Sequence, residues 1–430
     1  MTSSTRSDIG LLYRRAGFGG SSEQLDAGVG AGFEATAEHL LAGLVEPDRA
    51  NVPVPHLATF KELREGRGGN TWKQYLNLIG WWLDKMAATT TPLREKLTLL
   101  LHGQFPTGFS KVGLPVLMYR QNELFRTLGP GSFWDLTLAV SKDPAMLIWL
   151  DTDTDVNSSP NENFARELME RFTMGIGHYT QRDVEESARA FTGWSIALNG
   201  EFVVNEWAHD FGNKTFLGYH GDLSGEDIVR IVTHTPASAR FVSARMWSWL
   251  AYPVTANDPV VSDLAGAYQR DLSMTDLLRA IVMHPNFRSK QSHQALVKQP
   301  AEWIAGIMRG LGLRTKSFHK FGGPGYIQWV LTNLGQILFD PPTVGGWGAN
   351  SYWLSTASSV TRLDFAQNVS QIANLTPLEE ASSADRIDLV GAMFGVDTWT
   401  NTSFEVLNRV RDDPPQLLML ALTAPEVLAN

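Results

Sequence analysis

Apolar residues recur every three or four positions through the middle of this chain, and that spacing limits the folds open to it. The pattern is typical of helices that bury one face, and it dominates residues 71–194. It is clearest at Trp72, Tyr75, Leu76, Ile79, Trp82, Leu83 and Met86. The same reasoning predicts helices over residues 93–102, 114–127, 133–150, 159–172 and 180–190, and from residue 224 onward. We therefore predict a mainly α fold.

Residues 195–217 break this helical pattern. Two short runs there alternate around Asn199-Gly200, a dipeptide that favours the type I′ turn of a β-hairpin. We predict a small β-hairpin insertion near residues 195–205 within a single large multi-helical domain. In this interpretation the domain spans residues 1–365, and residues 366–430 form a C-terminal helical extension packed on it.

Composition excludes several classes of protein. The 430 residues include no cysteine, which rules out disulfides, Cys-ligated metal centres and Cys nucleophiles. The net charge of −9 and the lack of a Lys/Arg run argue against a nucleic-acid partner. The start of the chain lacks the apolar segment of a secretory signal, and no apolar run approaches the roughly 20 residues of a membrane span. We therefore expect a cytoplasmic protein, or one in its already mature form, without a membrane span.

The familiar nucleotide and hydrolase motifs are also missing from the sequence. There is no GxxxxGK(S/T) phosphate loop, no GxSxG elbow, no HExxH and no GxGxxG after a predicted strand. The sequence thus carries no motif for NAD, flavin, haem or a nucleotide. This absence argues against P-loop NTPases, ordinary α/β-hydrolases, zincins and Rossmann dehydrogenases.

Seven ordered segments resemble a known family. They are LLYRRAGFG at residues 11–19, EKLTLLLHGQF at 95–105, DPAMLIWLD at 143–151, PNENFARELME at 160–170, FTGW at 191–194, HD at 209–210 with KTFLG at 214–218, and PPTVGGW at 341–347. Together they resemble the bacterial family catalogued as domain of unknown function 1800 (DUF1800), from about residue 10 to 365. The resemblance implies no established activity. Two features depart from the family: Gln104 stands where a second His is usual, and the export signal that members often carry is missing.

An Asp-rich stretch has the oxygen spacing of an EF-hand calcium loop. Oxygen-bearing side chains fall at positions 1, 3, 5, 7, 9 and 12, which are Asp151, Asp153, Asp155, Asn157, Ser159 and Glu162. A divalent cation such as Ca²⁺ would offset the repulsion among these carboxylates. Against this, position 6 is Val156 where the sharp turn favours Gly. The alternative is a solvated linker that ends in a capping box from Ser159 to Glu162, with Pro160 at the first helical position.

The next predicted helix carries a candidate acid and base. Asn163, Arg166, Glu167 and Glu170 lie at i, i+3, i+4 and i+7 and therefore share one polar face. Two carboxylates at this spacing suit general acid/base catalysis or a shared metal. The alternative is ordinary helix support by i,i+4 ion pairs, such as Glu162 with Arg166.

The remaining candidates are isolated in the sequence. His209 and Asp210 follow the predicted hairpin, near Lys214, and loops with a His beside a carboxylate often carry catalysis. His102 ends an apolar helix, where a structural role is the alternative. Candidates for stacking on a substrate are the tryptophans of turn-rich segments, Trp194 and Trp347, although core packing is the commoner use of Trp.

Two functions follow from these candidates. In the first, the protein is a hydrolase of a polar polymer such as a glycan, with catalytic residues Glu167, Glu170, His209, Asp210 and His102 and with substrate-binding residues Arg166, Lys214, Trp194 and Trp347. In the second, it is a non-catalytic binding or assembly protein whose Asp-rich loop holds Ca²⁺ or another divalent cation. The two differ in whether the carboxylates and His209 surround one open cleft.

Overall fold

Helices make up nearly all of the regular structure of the computed structural model, which describes residues 5–430. Over this range we number twenty-four α-helices in chain order. The first twelve are α1 (Arg6–Arg15), α2 (Ser22–Ala31), α3 (Phe33–Ala42), α4 (Phe60–Arg64), α5 (Thr71–Ala88), α6 (Pro92–Gln104), α7 (Phe109–Val112), α8 (Pro115–Leu128), α9 (Phe133–Ser141), α10 (Pro144–Trp149), α11 (Glu162–Glu167) and α12 (Gln181–Phe191). The mainly α prediction is confirmed.

The other twelve helices follow two small β-hairpins. They are α13 (Gly225–Thr233), α14 (Pro236–Leu250), α15 (Pro259–Tyr268), α16 (Met274–Met283), α17 (Pro300–Gly310), α18 (Pro324–Leu334), α19 (Thr356–Ser370), α20 (Thr376–Glu380), α21 (Arg386–Phe394), α22 (Asn401–Arg409), α23 (Pro414–Thr423) and α24 (Pro425–Leu428). In the hairpins, β1 (Trp194–Ile196) pairs antiparallel with β2 (Phe202–Val204), and β3 (Lys214–Phe216) pairs antiparallel with β4 (Tyr219–Gly221). The first is the hairpin predicted near residues 195–205.

The turns of the two hairpins differ from the prediction. Gly200 has a φ of +82°, whereas Asn199 stays outside the left-handed region, so the first loop is not a type I′ turn. The second hairpin turns at Leu217 and Gly218, whose φ values are +46° and +85°. Positive φ at both central residues is the type I′ geometry, which therefore forms at a position that the sequence did not mark.

The sequence favours two or three helices across residues 114–127 and 133–150, and the structure has three. The stretch over residues 133–150 forms two of them. Asp143 interrupts it, because its side chain accepts a hydrogen bond from the Met146 N–H at 3.2 Å and so caps α10. Pro144 then occupies the first position of α10, where its missing N–H costs nothing.

The capping box predicted at Ser159 is wrong. Asn161 caps α11 instead, with its Oδ1 accepting from the Asn163 N–H at 2.9 Å, and the helix begins at Glu162. Ser159 closes a tight turn in which its N–H donates to the carbonyl of Val156 at 3.0 Å. The helix start therefore lies two residues later than the capping box would place it.

Two apolar clusters form the core. The larger is built mainly by α1, α3, α6 and α8 to α16, and the second mainly by α5, α17 to α19 and α21 to α23. In α5 the predicted stripe is buried at Trp82, although Trp72 at the start of the helix is half exposed. Helix α19 continues through residue 365 and packs on α23, and the division of the chain at that residue stays a prediction. Within residues 5–430, no helix combines the length and apolar character needed to cross a membrane.

Candidate active site

The helix that carries Glu167 and Glu170 changes its hydrogen bonding between these residues. α11 ends at Glu167, and residues Leu168–Thr173 continue it as a π-helical turn. At its end, the Met174 N–H donates to the carbonyl of Met169, five residues earlier, at 2.9 Å. Single π turns inside helices are rare and frequently lie at functional sites.

Glu167 and Glu170 both contact the guanidinium of Arg171. Arg171 Nη2 lies 3.1 Å from Glu170 Oε1, and Arg171 Nε lies 3.9 Å from Glu167 Oε2. The Tyr179 hydroxyl donates a hydrogen bond to Glu170 Oε2 at 2.9 Å. In contrast, the buried Oε2 of Glu167 accepts no hydrogen bond from the described part of the chain. The two carboxylates thus share one cation and are equally exposed, but they differ in their hydrogen bonds.

These surroundings shift the pKa values of the site. Burial raises the pKa of Glu167, Arg171 opposes the increase, and the charge of Glu170 adds to it. Burial and the hydrogen bond to Glu170 raise the pKa of Tyr179 to about 12, so its hydroxyl remains a donor at neutral pH. A carboxyl with a raised pKa beside a carboxylate that a cation and a hydroxyl stabilise is an arrangement suited to a general acid and a base.

Arg166 links α11 to α12 beside this carboxylate pair. Its Nη2 donates to Glu162 Oε2 at 2.7 Å and to Gln181 Oε1 at 2.9 Å. The ion pair predicted as helix support therefore forms between Glu162 and Arg166. The Arg166 side chain remains 38% exposed, which leaves it accessible to a ligand.

His209 is held in a defined orientation. Its Nδ1 lies 2.7 Å from the carbonyl oxygen of Thr192, and since a carbonyl only accepts hydrogen bonds, Nδ1 carries the proton of the neutral ring. The ring packs edge-on against Phe211 with 4.7 Å between centroids. Among residues 5–430, none bonds to Nε2, so His209 presents a free lone pair there.

Asp210 pairs with Arg189 rather than with His209. Arg189 Nε lies 2.7 Å from Oδ2 and Nη2 lies 3.2 Å from Oδ1, and this hydrogen bonding lowers the pKa of Asp210. Lys214 is fully buried, and its Nζ donates to the backbone carbonyls of Asp210 at 2.6 Å and Gly212 at 3.1 Å. Both side chains therefore fasten the loop that carries His209.

The carboxylate pair and His209 lie near opposite ends of α12. Tyr179 and Gln181, which contact the carboxylate cluster, lie at the start of this helix. Thr192, which holds His209, follows its last residue. A helix of 11 residues rises about 16 Å. The structure therefore does not gather Glu167 and His209 around one small cleft.

Three other candidates are packed into the core. His102 is buried with its Nε2 3.1 Å from Asn122 Nδ2, and burial together with the nearby charge of Arg126 holds its pKa well below the ordinary range. Trp194 is buried between two phenylalanine rings. Trp347 is partly buried and donates from Nε1 to the carbonyl of Ile337 at 3.1 Å. The surroundings of His102, Trp194 and Trp347 are thus those of side chains that pack against the rest of the fold.

The acidic residues at the start of the Asp-rich loop have separate partners. Asp151 forms an ion pair with Lys111 at 2.7 Å, and Asp155 Oδ1 accepts from the Asn161 N–H at 2.8 Å. Burial raises the pKa of Asp155 to about 6 and also raises the pKa of Asp153. The Asp151 and Asp155 carboxylates are thus held by protein groups at different points of the loop.

The rest of the Asp-rich loop is also engaged. Asn157 donates from Nδ2 to the carbonyl of His209 at 3.2 Å, and Glu162 accepts from Arg166. Across residues 5–430, no group of three or more His, Asp and Glu side chains is arranged to hold a metal ion. This geometry adds no support for a bound cation, and calcium binding stays a prediction of the sequence pattern.

Three residues that shape these sites are not among the sequence candidates. They are Tyr179, Arg189 and Thr192. Arg189 binds Asp210, which is 21 positions away in the sequence, so helical spacing does not reveal the contact. A signal existed for Thr192, which lies in the family-like segment at residues 191–194.

Comparison with known proteins supports the resemblance. A sequence model of one family, described as "Protein of unknown function (DUF1800)", matches residues 11–429. The match confirms the predicted family and extends past residue 365 to the last helices. No curated protein and no solved structure matches the chain.

Proposed function

The chain belongs to the DUF1800 family of unknown function, and from its own geometry we propose that it is a hydrolase of a polar polymer such as a glycan. In this proposal Glu167 is the general acid, which protonates the oxygen of the leaving group. Glu170 is the carboxylate that activates water or stabilises the positive charge that develops on the sugar. Arg166 binds oxygen-rich groups of the substrate at the exposed side of the pair.

The observation that carries the proposal is the desolvated Oε2 of Glu167. It lies beside a second carboxylate, yet among the described residues it accepts no hydrogen bond. A buried carboxyl oxygen without a hydrogen bond costs stability, so such atoms are usually satisfied unless they act on a ligand. Glu170, by contrast, accepts a hydrogen bond from Tyr179 and lies closer to Arg171. This difference favours Glu167 as the acid and Glu170 as the second carboxylate in the proposal.

A polymeric substrate suits the distance between the carboxylate pair, near the start of α12, and His209, near its end. Beyond the far end of α12, Trp207 is 95% exposed and Phe211 is 59% exposed, and both flank His209 in the sequence. Aromatic rings with free faces suit stacking on sugars. We assign to these two rings the stacking role that the sequence suggested for Trp194 and Trp347, and we place His209 in substrate binding rather than at the bond that breaks.

A second candidate function is favoured by the same exposed surface. Several large apolar side chains of the hairpin region are exposed, namely Leu198, Val203, Val204, Trp207, Phe211 and Tyr219. Exposed apolar groups concentrated in one segment are typical of binding surfaces. In this alternative the protein binds a polymer or a partner and carries out no reaction.

Turnover of polysaccharides tests the first function. The wild type is incubated with a panel of neutral and anionic polysaccharides, and new reducing ends are measured. We expect E167Q to lose activity by about 100-fold or more, because Gln cannot donate the proton. The control is E405Q, which removes an exposed carboxylate from α22, outside the proposed site, and should keep wild-type turnover.

Two results would decide against hydrolysis. Equal turnover by E167Q and the wild type would reject Glu167 as the acid. Retention of a polysaccharide by the wild type that W207A loses, with no new reducing ends in either protein, would favour the binding function.

A further inference from the structure

A cavity of about 570 Å³ lies away from the carboxylate pair and from His209. Its walls come from the segment between α1 and α2, the end of α5, α17 and α21. A volume of this size is in the range of small-molecule sites. Ligand binding in this cavity would be independent of the proposed hydrolase function, because the two sites share no residue.

Basic side chains line this cavity without ion-pair partners. Arg309 and Arg314 form no ion pair with any carboxylate of residues 5–430, nor does Lys298. Their hydrogen bonds go to backbone carbonyls: Arg309 Nη1 to Thr89 at 2.9 Å, Arg314 Nη1 to Leu313 at 2.7 Å, and Lys298 Nζ to Val427 at 2.8 Å. Carbonyl groups leave the positive charges in place, and the three residues are only partly exposed, so a counter-charge in the cavity would stabilise them.

The nearby carboxylates are already occupied. Asp48, whose charge acts on Arg309, is ion-paired with Lys85 at 3.1 Å. Asp84, which is close to Arg314, accepts from the Thr315 N–H at 2.6 Å. In the part of the chain that the structure describes, Glu23 is the one carboxylate in the lining, and it is exposed. The cavity is thus positive within a protein whose net charge is −9.

The arginines also act on each other. The pKa of Arg309 is lowered by burial and by the charge of Arg314. Burial and the charges of Arg14, Lys96 and Arg15, partly opposed by Glu302, lower the pKa of Lys298 to about 7. An anion placed among these groups would relieve their repulsion.

The cavity also has apolar lining residues. They include Phe18, Trp303, Ile307 and Met393. Glycines bring the backbone close: a Cβ at Gly310 would lie 2.7 Å from the carbonyl oxygen of Met393. A ligand that fits this cavity therefore has a charged end and an apolar body.

We propose that this cavity binds a small organic anion, with its carboxylate or phosphate between Arg309 and Arg314 and its apolar body against Phe18. The first of the family-like segments, residues 11–19, supplies Phe18 and Gly19 to the wall. The same segment includes Arg14 and Arg15, in the last turn of α1, and their charges act on Lys298. The segment thereby has a role in ligand binding.

Calorimetric titration with matched probes tests the proposal. The probes are phenyl phosphate and benzoate, the neutral benzyl alcohol of similar shape, and inorganic phosphate. We expect the aromatic anions to bind at least tenfold more tightly than benzyl alcohol. The difference between phenyl phosphate and benzoate then shows which anionic group the cavity prefers.

Variants locate the binding site. R309M and R314M should each weaken anion binding at least tenfold, whereas R409M removes an exposed arginine on α22 and should have no effect. Because Arg309 also bonds to the end of α5, R309M is compared with R314M, whose guanidinium bonds to the neighbouring residue Leu313. The proposal is overturned if benzyl alcohol binds as tightly as the anions, if a folded R314M binds like the wild type, or if none of the aromatic anions binds at millimolar concentration.

Discussion

Lys96 Nζ and Glu302 Oε1 lie 2.5 Å apart in the interior of the protein, where their side chains are 3% and 7% exposed. Lys96 belongs to α6, which packs mainly in the larger apolar cluster, and Glu302 belongs to α17 of the second. Glu302 also accepts from the Gln299 N–H through its other oxygen at 3.0 Å. This ion pair therefore joins the two clusters through the core.

Removing one member of this pair should destabilise the fold strongly. In K96M the carboxylate of Glu302 stays buried without its cation, and breaking a buried pair in this way costs about 3–5 kcal/mol. The double variant K96M/E302Q should lose much less than the sum of the two single variants, because no charge is stranded. Urea unfolding measures all three. R270M, at a surface ion pair, serves as the control and should leave the midpoint unchanged; additive losses in the double variant would show that Lys96 and Glu302 are not coupled.

Asp143 should make stability fall as the pH rises from about 4 to 7. Burial raises its pKa to about 7, while the unfolded chain has an ordinary Asp with a pKa of about 3.9. Between these values the folded state holds a proton that the unfolded state has released. Linkage then lowers the unfolding free energy with increasing pH, by at most about 1.4 kcal/mol per pH unit.

The variant D143N isolates this contribution. Asn keeps an oxygen that can accept from the Met146 N–H, and it has no proton to lose. Urea unfolding at several pH values should therefore give a flatter profile for D143N than for the wild type between pH 4 and 7. Parallel profiles would show that Asp143 does not titrate in this range.

Glu167 should lower the unfolding free energy of the protein, as groups placed for function often do. Burial raises the pKa of Glu167, so keeping this carboxyl in the folded protein at pH 7 costs free energy in either protonation state. The neutral E167Q variant avoids that cost and should raise the unfolding free energy at pH 7 by about 1 kcal/mol. E170Q weakens the contact with Arg171 and should gain nothing. Thermal melts at pH 7 compare the variants, and a clear destabilisation of E167Q would reveal a structural role for the carboxylate.

Helices are predicted well where the signals that favour them involve residues close together in the sequence. The stripe in α5 and the helix start predicted at residue 180 depend on neighbours within a few positions, and both are present in the fold. The apolar pattern over residues 133–150 leaves the number of helices open, and the cap at Asp143 with the following proline divides it into two. The sequence favours a type I′ turn at Asn199, whereas in the fold this geometry forms at Leu217 and Gly218, between the paired strands β3 and β4.

The candidate sites are less predictable because their partners are distant in the sequence. Spacing identifies Glu167 and Glu170 correctly as neighbours, since both lie on one stretch of helix. It cannot show that Asp210 binds Arg189, because that contact depends on how the loop packs on α12. The positive cavity is invisible to any local pattern, since its lining runs from Phe18 to Arg314 and beyond.

Calcium should leave the melting temperature unchanged. A cation would compete with Lys111 for the Asp151 carboxylate and with the Asn161 N–H for Asp155 Oδ1. Breaking these contacts opposes binding, and a cation stabilises the fold only in proportion to its affinity for the native state. Melts in chelator and in millimolar Ca²⁺, Mg²⁺ and Mn²⁺ test this, with D151N as the matched variant. A rise with Ca²⁺ that D151N abolishes would contradict the expectation and establish the loop as a metal site, because the ion pair with Lys111 alone gives no reason for a response to calcium.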